Sequence, residues 1–254
     1  MDRVQIRRKF NTVGPAVLPV IHVQDEAQAQ ENVKIAFNEG AQGVFLINHD
    51  FPKEQLLPIL GTVRETFPAA WIGVNFLAVT GLDAFPVLGD LKRQGIRLDA
   101  YWADNARIEE HQPEDRQAQA DAIDAARSAS DWDGLYFGGT AFKAQRPVEP
   151  EFFSVVARIA ARHMDVVTTS GAGTGIAADM SKIKTFRRVL KDRALAVASG
   201  ITPENAADYA PYVDAFLVAT GINRDGDFYN IDPRRLSKLL EICRHSFEIP
   251  EKAV

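Results

Sequence analysis

The sequence predicts an α/β fold of one kind: a closed (β/α)8 TIM barrel, built as a single domain over residues 1–254 with residues 1–13 as a basic leader. Three observations carry this. The 254 residues match the length of one such barrel. Eight short apolar runs alternate with helix-like runs, at a period of roughly 30 residues that suits one βαβ step. The first strand ends in His22-Val-Gln-Asp25, with no glycine, so the open sheet that binds dinucleotides through Gly-x-Gly-x-x-Gly is disfavoured.

Each unit can be read in turn. Ala16–Val23 is a β-branched apolar run, and Asp25 starts a helix through Phe37 that stops near Gly40. Gly43–Asn48 is the second strand, followed by His49 and Asp50, with Asp50 placed to cap a helix that Pro52 opens and Phe67 closes. Trp71–Phe76 is the third strand, with a helix from Asp83 to Gln94, and Asp99–Asp104 is the fourth. The polar stretch from Asn105 to Pro113 reads as a long loop before an Ala-rich helix from Glu114 to Ser128. Gly134–Gly138 is the fifth strand, with Gly139, Thr140 and Lys143 beyond it and a helix from Glu149 to Arg162. Asp165–Ser170 is the sixth, opening into Gly171-Ala-Gly-Thr-Gly175 and a helix from Asp179 to Leu190. Ala194–Ser199 and Asp214–Val218 complete the eight, and a helix from Asp232 to Ser246 closes the chain.

Composition narrows the function classes. Hydrophobic residues at 46% and charged ones at 25% suit a globular chain with a sizeable core. The net charge of -5 is dispersed, and the local excess of Arg3, Arg7, Arg8 and Lys9 does not amount to a nucleic-acid surface. Cys243 stands alone on an apolar helix face and reads as core, so neither a disulfide framework nor a cysteine metal cluster is expected. No apolar run has the length of a membrane span and no signal core precedes the first strand, which points to a cytoplasmic protein. A homo-oligomer is compatible with all of this.

In such a barrel the loops after the strands meet over one mouth, so strand-end polar residues are the candidates for chemistry. Unpaired burial would cost each of them roughly 1–3 kcal/mol, and a shared polar pocket avoids that. His22 and Asp104 are the candidates for proton transfer, with Asn48 and Asn75 orienting substrate or stabilising developing negative charge. His22 alternatively donates to a backbone carbonyl, the asparagines close turns, and Lys143 is read as a solvated loop lysine. Gly171, Gly173, Thr174 and Gly175 keep the backbone free to wrap an anion, and Ser199 with Gly200 and Thr220 with Gly221 form a phosphate cradle after the last two strands. The glycines do not follow the Walker A spacing. No cofactor is expected, and no His/Cys/carboxylate spacing specifies a metal site, although His22, Asp50 and Asp104 could converge in space on a divalent ion.

Several of these stretches together resemble a known family. Leu18-Pro-Val-Ile-His22, the run from Gly40 to Asn48, Gly73-Val-Asn75, Thr174-Gly175, and Ser199-Gly-Ile-Thr-Pro-Glu-Asn205 leading to Ala219-Thr-Gly221 are similar to the BtpA family, in the same order over most of the chain. The resemblance implies a ribulose-phosphate-binding type of barrel and a link by name to photosystem I biogenesis, although many relatives have no photosynthetic role. Where the family carries Glu-Asn-Phe-Gly-Asp after the second strand, this chain reads Ile47-Asn-His-Asp-Phe51 and keeps Asn48. The segment after Asp104 also departs, implying a different substrate.

The expectation is therefore an enzyme, an isomerase, lyase or glycosidic-bond-cleaving one, acting on a small phosphorylated metabolite such as a sugar phosphate or phosphoribosyl compound. The alternative is a non-catalytic assembly or regulatory factor that uses the barrel as a ligand-binding scaffold. A perturbed ionisable group in the pocket favours the first, and a large exposed apolar patch favours the second.

Overall fold

The computed structural model describes residues 1–143 and 145–245. Its eight strands are β1 (Ala16–Val23), β2 (Val44–Asn48), β3 (Ile72–Phe76), β4 (Ala100–Ala103), β5 (Leu135–Gly139), β6 (Val166–Ser170), β7 (Leu195–Ala198) and β8 (Ala215–Val218). All pair in parallel in sequence order, and β8 returns to β1 through Ala16 opposite Ala215, closing the barrel. The helices are α1 (Arg3–Phe10), α2 (Glu26–Asn38), α3 (Lys53–Thr66), α4 (Gly81–Arg93), α5 (Ala118–Ser130), α6 (Phe153–His163), α7 (Met180–Leu190), α8 (Ala206–Tyr209) and α9 (Pro233–His245). The predicted fold class is the observed one. Ser246, where the last helix was expected to end, lies outside the described residues.

Alternation along the strands builds two cores. Inside the barrel, Leu18, Val20, Phe45, Trp102, Phe137 and Leu217 pack together, with Phe45 at the centre. Its ring lies 5.3 Å from that of Phe137 and 5.5 Å from that of Trp71, both edge-on. Gly73 makes room for it: a Cβ there would come within 2.3 Å of the Phe45 ring. The opposite faces of the strands meet the helices through Val17, Val44, Tyr101, Val167 and Phe216. Cys243 lies in this outer layer, 3% exposed, and burial pushes its thiol up to about 12, as a core residue requires.

The basic leader is not a free arm. Asp2 and Gln5 form a reciprocal capping box, and α1 turns Ile6 and Phe10 into the open bottom of the barrel, where both are buried. Phe10 meets Trp71 edge-on at 4.9 Å. The sequence carried this signal in Asp2-x-x-Gln5, hidden under the run of arginines. At the other end of the α4–α5 region, α5 starts at Ala118 rather than Glu114. The Gln117 side chain accepts from Glu109 N and donates to the carbonyls of Glu109, Gln112 and Pro113, which holds the preceding turn outside the helix.

The bottom of the barrel repeats one device three times. Asp99, Asp165 and Asp214 each precede an even-numbered strand, and each carboxylate accepts the backbone N–H of the preceding odd strand: Ile72 at 3.0 Å, Tyr136 at 2.8 Å and Leu195 at 3.0 Å. Each also binds an arginine from the helix between those strands and the ones before them, Arg64 at 2.7 Å, Arg127 at 2.6 Å and Arg187 at 2.6 Å. Ahead of β2 the same place is filled by Gln42, whose amide oxygen accepts from Val17 N at 2.8 Å. Asp214 is the most enclosed of these, its side chain fully buried, and it also takes Arg3 Nε of α1 at 2.6 Å. Removing one partner of a buried charge pair leaves the other uncompensated. Asp214→Ala should therefore lower unfolding stability by roughly 3–5 kcal/mol in urea denaturation; a loss below about 1 kcal/mol, the size of an exposed pair, would show that the network contributes little.

Candidate functional site at the barrel mouth

The mouth is built by strand ends that point inward. His22, at the end of β1, is 7% exposed, and its Nδ1 lies 3.0 Å from the Phe228 carbonyl oxygen. A carbonyl only accepts, so Nδ1 carries the proton and Nε2 is the basic nitrogen left for the pocket. The ring stacks on Phe228 at 3.9 Å and meets His49 edge-on at 5.6 Å. Burial, against the pull of the Phe228 carbonyl, pushes the imidazole down to about 4. The carbonyl contact expected of a structural histidine and the placement expected of a site histidine are thus both present.

Asp104 follows β4 two residues after Trp102, on the same inward face. It is 6% exposed, and burial raises its carboxyl above the usual carboxylate range, against the opposing pull of Lys143 and of the Asn75 amide. Asn75 Nδ2 donates to Asp104 Oδ1 at 3.1 Å, while Asn75 Oδ1 and Trp102 Nε1 are buried with no hydrogen-bond partner. Gly139 allows this packing: a Cβ there would sit 2.1 Å from the Asp104 carbonyl oxygen.

Lys143 is a correction to the solvated-lysine reading. It is half-buried, lines the mouth cavity with His22 and Trp102, and burial lowers its ammonium, opposed by the charge of Asp104. Its backbone stands at φ 38 and its N–H donates to Ser170 Oγ at 2.9 Å. Ser199 is a second non-glycine residue in this region with positive φ, at 72. Such conformations cost of order 1–3 kcal/mol and gather at sites where geometry is imposed.

The phosphate candidates divide into two groups, with Gly173 in neither. Thr174, Gly175, Ser199 and Thr220 line the mouth cavity together with His22 and Lys143. Gly171, Gly200 and Gly221 instead let the loops pack: Cβ atoms there would lie 2.0 Å from Ile176 O, 2.1 Å from Ala177 N and 1.9 Å from Ile201 O. A side chain at Gly200 therefore reports on loop packing, not on phosphate. Gly173 is half-buried and meets only the Ile176 side chain. Asn48 has both ends of its amide in use, Nδ2 donating to Phe51 O at 2.8 Å and Oδ1 accepting from Leu77 N at 3.1 Å, so it ties two loops together.

Asp50 does not cap α3, whose N-cap is Pro52 with no side-chain hydrogen bond. It accepts from Tyr229 Oη at 2.7 Å, and with His49 it forms the rim above His22. Nor do His22, Asp50 and Asp104 reach metal-ligand spacing: among the described residues that spacing occurs at Asp121, Asp124 and His163, on α5 and α6 outside the barrel. Phe228 and Tyr229 escaped the sequence reading because they lie in the stretch between β8 and α9, away from any strand end.

The free space at the mouth is ≈ 30 Å³. A water needs about 10–15 Å³ measured in this way, so the cavity holds water but not a sugar phosphate. Entry of a larger ligand requires movement of the exposed part of its wall, Thr174 and Gly175.

The BtpA family model matches residues 140–245, so the resemblance read from the sequence holds over the part that contains the Lys143 loop and the loops after β6, β7 and β8. No curated protein matches the chain. Among solved structures, the tryptophan synthase alpha chain from Legionella pneumophila superposes with a TM-score of 0.64 at 14% identity, covering 99% of each chain. Phosphoribosyl anthranilate isomerase from Thermus thermophilus superposes with a TM-score of 0.59 at 15% identity, covering 89% of this chain and 96% of that one. At these identities the likeness establishes the shared barrel. No helix among the described residues is long and apolar enough to cross a membrane.

The site geometry fixes the protonation of His22. A histidine held neutral by burial binds no proton between its folded value and the unfolded 6.5, whereas the unfolded chain does. Its contribution to stability is therefore full above pH 6.5 and is lost as pH falls from there towards about 4. Nitrogen NMR of the imidazole should show a neutral ring with the proton on Nδ1 at pH 6; a ring titrating near 6.5 would contradict the burial argument.

Proposed function

With residues 140–245 matched to the BtpA family as the premise, we propose that this barrel is an enzyme performing acid–base chemistry on a small phosphorylated sugar or phosphoribosyl compound. The observation that carries the reading is a neutral imidazole lining the mouth cavity beside Lys143, Thr174, Ser199 and Thr220, together with the buried carboxyl of Asp104 at the end of β4, which feels the charge of Lys143 and has a raised pKa. The phosphate sits under the loops after β6, β7 and β8, on Thr174, Gly175, Ser199 and Thr220, with Lys143 supplying the positive charge. This is where barrels that hold phosphate usually place it. One structural neighbour, an isomerase of phosphoribosyl anthranilate by its description, fits the same substrate class.

The sugar then points down towards β1, β3 and β4. His22 Nε2 is available as a base at neutral pH, and Asp104, with Asn75 fixing one oxygen, exchanges a proton at the other. Trp102 Nε1 and Asn75 Oδ1 offer a donor and an acceptor to substrate hydroxyls. Isomerisation, lyase chemistry and cleavage of a glycosidic bond all draw on this same pair. The space at the mouth is small, so the exposed segment at Thr174 and Gly175 moves to admit substrate.

The scaffold alternative lacks its marker. Among the described residues the exposed large apolar side chains are Val4, Val13, Leu82 and Ile176, spread over the N-terminal segment, α4 and the β6 loop rather than joined in one patch.

A ligand that binds only the folded state raises its melting temperature by mass action. A thermal-shift series of sugar phosphates should give an upward shift for one class, absent for the unphosphorylated sugar. Lys143→Met should weaken that ligand by roughly tenfold or more, since a hydrogen bond to a charged group is worth about 1.5–3 kcal/mol. Asp104→Asn should keep the shift and lose turnover by roughly 10²-fold or more, the usual size of a general acid–base contribution. Equal shifts for phosphorylated and unphosphorylated sugars would remove the phosphate site; full turnover in Asp104→Asn would remove the chemistry.

A further inference from the structure

A second cavity lies beside the mouth, between the segment after β5 and the segment after β6. It encloses ≈ 410 Å³, against ≈ 30 Å³ at the mouth itself. Its walls are largely apolar, formed by Val148, Phe153, Ile176 and Ala177. Two lysines line it, Lys143 from the β5 side and Lys182 from the first turn of α7.

Lys182 is the unusual group. It is 8% exposed, its ammonium donates to the carbonyls of Ala141 and Ser170, the latter at 2.7 Å, and it lies 5.3 Å from the centre of the Phe153 ring. Among the described residues neither lysine has a carboxylate within ion-pair distance. Asp179, the carboxylate of this cavity, is exposed and accepts from Ser181 N as the cap of α7. Burial holds the Lys182 ammonium down at about 8, opposed by the charge of Asp179. A neutral donor would serve equally well to close two strand-end carbonyls. A buried cation in no ion pair, with only the exposed Asp179 carboxylate acting on it from further off, and facing an apolar space of the size that small-molecule sites have, calls for an anion with an apolar body.

We propose that this cavity is a second ligand site that binds a compact carboxylate with an aromatic or branched apolar body. Its carboxylate lies on the Lys182 and Lys143 ammonium groups and its body against Phe153 and Ile176. The site stands apart from the phosphate cradle and shares with it only Lys143 and the loop after β6. Occupancy here would hold that loop from one side while a phosphate holds it from the other, which couples the two sites.

Benzoate is a suitable probe, read through lysine reactivity. Limited reductive methylation with formaldehyde and borohydride, mapped by mass spectrometry, gives a rate for each lysine in the folded protein. Millimolar benzoate should slow Lys182 and Lys143 several-fold and saturably, leaving exposed Lys34 and Lys238 unchanged, and sodium chloride at the same concentration should do nothing. Lys182→Met leaves two carbonyls unpartnered and puts folding at risk, so Ala172→Trp, at the exposed rim of the cavity, is the companion variant: it should fold normally and abolish the benzoate effect. A Lys182 rate indifferent to benzoate, equal slowing at all lysines, or a Lys182 that never reacts in the folded protein overturns the proposal. Absence of any sugar-phosphate thermal shift would leave benzoate protection standing, so the two readings fail separately.

Discussion

The carboxylates of Asp99, Asp165 and Asp214 hold the bottom of the barrel together, and the mouth depends on them. Each one joins a strand edge to the next strand's start and fastens a helix arginine across the seam. Register in a parallel barrel sets which side chains face inward, since a slip of one residue turns every side chain over. Fixing β3 against β4, β5 against β6 and β7 against β8 at their origins therefore delivers Asn75, Asp104 and Ser199 to their places at the other end. The repeat falls on alternate strands, with Gln42 standing in for the acid before β2, so one solution to strand pairing has been used around the whole ring.

The two ends of the barrel divide stability from strain. Below, buried charges are paired, α1 plugs the opening with Ile6 and Phe10, and aromatic rings fill the interior around Phe45. Above, Lys143 and Ser199 stand in left-handed backbone, Trp102 and Asn75 keep buried polar atoms without partners, and two lysines lie half or wholly out of water with no carboxylate at ion-pair distance among the described residues. Such groups cost the fold stability and gather where a site is imposed on it, which is the basis of the ligand proposals made for this end of the barrel.

Much of this was legible in the sequence. Eight apolar runs with polar ends are enough to place His22, Asp104 and the loop after β6 at one mouth, because period-two alternation and barrel topology act together. The reading failed where side chains are fixed by partners distant in the chain. Asp50 looks like a helix cap beside Pro52, yet it bonds Tyr229, 179 residues away. Lys143 looks like a loop lysine, and only the packing of the segments after β5 and β6 turns it into the mouth. Glycines are the subtler case: Gly175 lines the cavity, whereas Gly200 and Gly221 are required by neighbouring backbone, and spacing alone cannot separate these roles. Asp2 and Gln5 did announce α1, but the arginines beside them draw attention to charge instead.

The claim that the barrel mouth binds a phosphorylated ligand is tested most directly by a crystal structure of the protein soaked with ribose 5-phosphate. The account predicts the phosphate on Gly175, Ser199 and Thr220 with Lys143 beside it, the segment at Thr174 and Gly175 displaced, and the sugar directed at His22 and Asp104. Phosphate density elsewhere on the molecule, with the mouth still closed over water, would contradict it.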